Sequence, residues 1–136
     1  MFSTPPGNTT VISLSIGKVW IDEYGFCRIR VIGGTNHVIG EPEMRELADA
    51  VYEACDGKKR KHLIDSTFAY GKVDPSAIEE LSRNEKLLSV RSAAAMITEN
   101  GSMKKAITAF IKTGNPAYPY SWFDNEQDAV RWLSAL

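Results

Sequence analysis

HLIDSTFAYGKVDPSAIEELSR, His62–Arg83, is the stretch on which the fold turns. His62–Phe68 is short and apolar enough for a buried strand, and it runs into the polar group Asp65-Ser66-Thr67. Asp74 follows as a good N-cap, because its carboxylate can accept from free N–H groups of a first helical turn. Pro75 behind it has no N–H to leave unsatisfied, and Ile78 and Leu81 repeat on one helical face. A buried strand followed by a loop and a capped helix is half of a crossover unit, which points to an α/β protein with a parallel sheet.

Toward the N-terminus, Glu41–Cys55 reads as a helix. Met44, Leu47, Ala48, Val51, Ala54 and Cys55 follow 3-4 spacing, Pro42 suits the first turn and Gly57 the stop. Lys58-Lys59-Arg60-Lys61 offers positive charge to its last carbonyls. Earlier still, Ile12, Leu14 and Ile16 alternate with polar residues, and Val19 and Ile21 continue one step out of phase. That slip predicts a single strand over 12–21 with a bulge at Gly17. Asp22-Glu23-Tyr24-Gly25 is a hairpin turn signal leading to Cys27, Ile29 and Val31 on one face and Arg28 and Arg30 on the other. Gly33–Asn36 reads as a loop.

Toward the C-terminus, Ala93-Ala94-Ala95 favours helix by propensity. The span Val90–Thr98 nevertheless has strand length between the Ser89–Ser92 neighbourhood and the Asn100-Gly101 break, and it is assigned as a strand. Met103, Ala106, Ile107, Phe110 and Ile111 define a third helix closed by Gly114. Tyr118–Phe123 is a short strand whose Pro119 suits an edge or a strand start. Asp124 and Gln127 resemble a capping box before a last helix with Ala129, Val130, Leu133 and Leu136. The expected order is ββαβαβαβα: an α/β fold with a mixed, mostly parallel central sheet of about five strands and four helices. Residues 1–10 read as a disordered leader and 11–136 as one domain.

The 136-residue chain is long enough to bury a core without staples. Its net charge of −1 supplies no global field for nucleic acid or acidic membranes. No run reaches transmembrane length, and no signal-peptide pattern opens the chain. Cys27 and Cys55 form no CxxC and have no His at ligand spacing. Neither a disulfide framework nor a metal or other cofactor is expected, and a reducing cytoplasm is the natural compartment.

The element order resembles the STAS/SEC14-like (SpoIIAA-like) fold, specifically uncharacterised bacterial proteins grouped with sporulation anti-sigma-factor antagonists. The resemblance rests on Val19–Gly25 in the hairpin, Leu63-Ile64-Asp65 in the central strand, and the terminal runs Asn115–Tyr120 and Phe123–Leu133. It implies a regulatory protein, not an enzyme. In the antagonists a strand ending in Asp precedes an Asp-Ser-Ser-Gly helix start, whose first Ser is phosphorylated. Asp65 matches the strand Asp and Asp74 the motif Asp. Pro75, which has no hydroxyl, then falls on the acceptor position; Ser76 matches the second Ser and Ala77 replaces the Gly. The resemblance implies a relative that has lost the usual switch, with Ser76 a conceivable substitute at a helix start that also favours phosphate. Helix capping alone explains Asp74-Pro75-Ser76.

Other candidates come from the residues themselves. Asp65 and Ser66 end a central strand, where open α/β sheets gather ligands. Ser102 with Lys104 joins a helix start to an ammonium, an anion-binding combination. Phe110, Tyr118, Tyr120 and Trp122 supply aromatic surface for an apolar pocket. His37 and His62, in a loop and at a strand entrance beside lysines, read as solvated. No catalytic residue set emerges. The function expected is a non-enzymatic interaction module, homodimeric, with a protein partner; the alternative is a carrier of a small apolar, lipid-like ligand.

Overall fold

The computed structural model describes residues 7, 9–67, 70–99, 101, 104–105, 108–109 and 118–136, with the backbone alone at 34–37 and 70–72. Most of the leader at 1–10 and much of the third helix expected from Met103 onward lie outside these residues; positions 101, 104, 105, 108 and 109 are helical.

Asp22 builds the first hairpin. Its Oδ1 accepts from Tyr24 N at 2.8 Å and Phe26 N at 2.9 Å, while Gly25 holds the positive φ of 79° that the turn requires. β2 (Gly17–Ile21) and β3 (Cys27–Val31) therefore pair antiparallel, with Val19 opposite Ile29. The bulged strand expected over 12–21 is instead a second hairpin. β1 (Ile12–Leu14) folds back on β2 with Leu14 opposite Gly17, so the phase slip is a turn. Glycine is needed there for a different reason: a Cβ at Gly17 would lie 1.8 Å from the carbonyl oxygen of Arg30 on the neighbouring strand.

The expected loop at Gly33–Asn36 also proves to be extended. β4 (Gly33–Ile39) pairs parallel with β6 (Tyr70–Val73) in a small sheet of their own. Ile39 lies opposite Val73, and Asp74 N donates to Ile39 O at 2.9 Å. The two strands therefore deliver the starts of α1 (Glu41–Cys55) and α2 (Pro75–Arg83) side by side. The chain turns extended at Asn84, whose Oδ1 caps α3 (Glu85–Ser89) through Leu87 N at 3.1 Å.

β5 (Arg60–Asp65) pairs parallel with β3 and with β7 (Arg91–Ile97), and β8 (Tyr120–Phe123) pairs parallel with β7. The order across the main sheet is β1-β2-β3-β5-β7-β8. Six strands stand where about five were expected, and β1 is the extra one. α4 (Glu126–Ser134) closes the described chain, capped by Asn125 Oδ1 on Asp128 N at 2.8 Å.

The helices divide between the faces. Met44, Leu47, Ala48, Val51 and Cys55 of α1 and Leu87 of α3 pack against Val19, Cys27, Ile29 and Val31. On the other face Ala129 and Leu133 of α4 pack against Leu63, Ala93, Ala95 and Ile97. Each large aliphatic side chain buried in this way contributes about 1.5–3 kcal/mol. β7 is sandwiched, so Ala93, Ala94 and Ala95 are all buried. Burial on both faces, which small side chains permit, overrides the helical propensity of that run.

Candidate functional site

The start of α2 is the site the sequence singles out. Asp74 has extended backbone, and its Oδ1 accepts from Ser76 N and from Ser76 Oγ, each at 2.9 Å. The backbone hydrogen bond first, and the hydroxyl second, hold its carboxyl below the ordinary aspartate range. Asp74, Pro75 and Ser76 are all exposed. Beside them on the small sheet, Val38 keeps 53% of its surface exposed, an apolar group left to solvent at the mouth of two helices.

The carboxyl end of β5 is more occupied. Asp65 Oδ1 accepts from Thr67 N at 3.0 Å, and buried Ser66 donates from N and Oγ to Ile97 O at 2.9 and 3.0 Å. Ser66 thus closes the end of β5 onto β7, while the Asp65 carboxylate caps the loop that follows. Asp65 shares a shallow recess on the α4 face with Trp20, Arg28, Arg30 and Glu126. Lys104 lies elsewhere, its Nζ 5.9 Å from the Trp122 ring on the opposite face, so Asp65 and Lys104 do not form one anion site. Ser102 lies outside the described residues.

The aromatic set is partly spoken for as well. Tyr118 accepts a hydrogen bond from Arg91 Nη1 at 3.3 Å and lies beneath that guanidinium, 5.5 Å away. Trp122 Nε1 donates to Thr108 Oγ1 at 3.0 Å. Tyr120 and Trp122 are half-buried on one face, opposite Ala94 and Met96 of β7. Phe110 lies outside the described residues, as does the side chain of His37.

The cluster that sequence reading missed is in the core. His62, expected to be solvated, is fully buried because β5 runs between β3 and β7. Cys27 is its register partner on β3, and Cys55, the last residue of α1, brings Sγ to 3.8 Å from His62 Nε2. Arg91, itself buried, donates from Nε to His62 Nδ1 at 2.9 Å. Since a guanidinium only donates, Nδ1 must accept. The ring proton is therefore on Nε2, which donates to Val90 O at 2.9 Å. Burial, then the Arg91 charge, push the His62 pKa well below 6.5.

The thiols are driven apart. Cys27 rises far above its ordinary value through the neighbouring Cys55 thiol and then burial. The same neighbour lowers Cys55, with Arg60 and Arg91 adding to the effect against burial. Among the described residues, Cys27, Cys55 and His62 form the group with metal-ligand atoms within 4.8 Å of one another, although Nε2 carries a proton in the bonding pattern found. The available signal was slight: Cys27 on the apolar face of its strand and Cys55 on the apolar face of its helix.

The family described as a domain of unknown function, DUF7793, matches residues 29–136. No curated protein matches the chain. Among solved structures it is similar to an uncharacterized protein of the DUF3478 family with a SpoIIAA-like fold from Shewanella loihica PV-4. The two share 15% identity over 98% of each chain, with a TM-score of 0.58. The likeness is one of fold, and it is the SpoIIAA-like fold expected from the sequence.

Proposed function

Because the chain belongs to the DUF7793 family and has a SpoIIAA-like fold, we propose that it is a non-enzymatic regulatory module that binds a protein partner through the exposed start of α2. One observation carries this reading: Asp74, Pro75 and Ser76 are presented to solvent beside exposed Val38, while proline stands where the resembled antagonists bear their phosphorylated serine. An exposed apolar side chain near exposed polar groups suits recognition by shape. A phosphate on Ser76 would place two negative groups within hydrogen-bond distance, because Ser76 Oγ already rests on the Asp74 carboxylate. The module is therefore always competent to bind, with no phosphate gate.

The same reading makes it a homodimer in a reducing cytoplasm, joined through the β1 edge of the sheet, with a net charge of −1 that disfavours nucleic acid. Among the described residues no helix is long and apolar enough to cross a membrane. A carrier of a small apolar ligand is the second reading, supported by Tyr120 and Trp122 sharing one half-buried face.

The test is native mass spectrometry of the gently purified full chain, joined to affinity capture with wild type and Ser76→Arg. The module predicts an empty, unphosphorylated dimer and a protein partner whose affinity falls about tenfold or more in Ser76→Arg. A retained apolar molecule that disappears in Trp122→Ala, with no partner captured, would establish the carrier instead.

A further inference from the structure

The geometry points to Cys55 and Cys27 as a peroxide-reactive thiol pair that closes to a disulfide between the end of α1 and the centre of β3. Both are free and fully buried, and their sulfur atoms lie within 4.8 Å of each other. Apolar packing alone does not account for their surroundings. Arg91 is buried beside them, and its partners among the described residues are the neutral His62 ring and the Tyr118 hydroxyl. A guanidinium buried against neutral acceptors lacks a counter-charge, and a Cys55 thiolate would supply one. Geometry and charge agree on the order of the pair: Cys55 Sγ lies 3.8 Å from the His62 Nε2 that carries the ring proton, and Cys55 is the thiol whose pKa is lowered while that of Cys27 is raised.

A three-ligand metal centre fits the same atoms less well. His62 would have to move its proton from Nε2 to Nδ1, where Arg91 Nε–H already points. Two donors would then face each other, and Arg91 itself opposes a cation.

The chemistry is balanced with hydrogen peroxide as oxidant. The Cys55 thiolate attacks one peroxide oxygen, the O–O bond breaks, and hydroxide leaves, taking up a proton as water. Cys55 is then a sulfenic acid. Cys27 sulfur attacks Cys55 sulfur and forms the S–S bond. The departing hydroxide takes the Cys27 proton and leaves as a second water. Two thiols are oxidised and one peroxide is reduced to two waters. Both sulfurs are buried, so the reaction requires a local opening, and the exposed Asp56 and Gly57 directly after Cys55 are the nearest surface along the chain. Hydrogen peroxide is close to water in size, so a small local opening admits it.

The experiment titrates the reduced full chain with hydrogen peroxide and reads intact mass, a non-reducing peptide map and melting temperature. The expected product has lost two hydrogens, links Cys27 to Cys55, melts at higher temperature and is restored by dithiothreitol. Cys27→Ser should stop at a sulfenic acid on Cys55, trapped by dimedone, whereas Cys55→Ser should leave Cys27 unreacted under the same dose. Should Cys27→Ser fail to fold, the rate of alkylation of each thiol in the wild-type chain gives the same ordering, with Cys55 at least about tenfold faster. Equal rates at the two thiols would overturn the proposal. So would oxidation only under unfolding conditions, or a purified protein carrying stoichiometric zinc that shields both sulfurs.

Discussion

Among the described residues two arginines are buried, one on each face of the main sheet, and their charges are balanced in opposite ways. Arg28, on the α4 face, bonds Asp22 Oδ2 through Nε at 2.6 Å and Glu126 Oε1 through Nη1. Burial alone would lower its pKa, but the two carboxylates outweigh it and the value rises. Their bonds tie the first hairpin to the first turn of α4. Arg91, on the α1 face, sits among an imidazole, a phenol and two thiols. Equal burial therefore carries different meanings. The first arginine is a closed ionic clasp, and the second is a charge that conditions its neighbours.

The largest effect should come from breaking the clasp. Arg28→Ala removes the buried guanidinium from between the Asp22 and Glu126 carboxylates, and urea denaturation should register a loss of about 3–5 kcal/mol. His62 gives the next largest. Its folded pKa lies below its unfolded one of 6.5, so the folded state resists protonation while the unfolded chain accepts it. The stabilisation is complete above about pH 6.5 and declines below it by about 1.4 kcal/mol per pH unit until the folded ring itself titrates. A pH series on wild type and His62→Gln should show this slope in the wild type and its absence in the variant.

Arg91→Ala should cost only about 1–2 kcal/mol, since hydrogen bonds to neutral acceptors are lost but a poorly balanced charge goes with them. It should also slow alkylation of Cys55. A cost equal to that of Arg28→Ala would mean that the two arginines are balanced alike and would break the comparison. The smallest effect belongs to Asn125→Ala, about 1 kcal/mol by thermal denaturation, because it removes the cap of α4 while leaving the Glu126 contact in place.

Local chemistry made much of this fold legible. The span Glu41–Cys55 and the cap at Asp74 coincide with α1 and the start of α2, because capping groups and 3-4 apolar spacing act within a few residues. Val90–Thr98 was recoverable from its boundaries despite its alanines, and Arg91–Ile97 is β7. The hairpin at Leu14–Gly17 and the pairing of β4 with β6 were not recoverable. A phase slip reads alike for a bulge and a turn, and a parallel partner drawn from residues 70–73 leaves no local mark on residues 33–39. The exposed part of the candidate site was visible at Asp74-Pro75-Ser76, while its buried counterpart was not.

Sequence by itself determined the starts of α1 and α2 and which faces of the strands are apolar. Tertiary structure alone decided that His62 is buried and that Cys27, Cys55 and Arg91 surround it. Each of those four residues has an ordinary local setting, and the register of β3, β5 and β7 with α1 laid across them brings the four into one place. Distances across a sheet depend on which strands pair, and that pairing is settled only when the whole core forms.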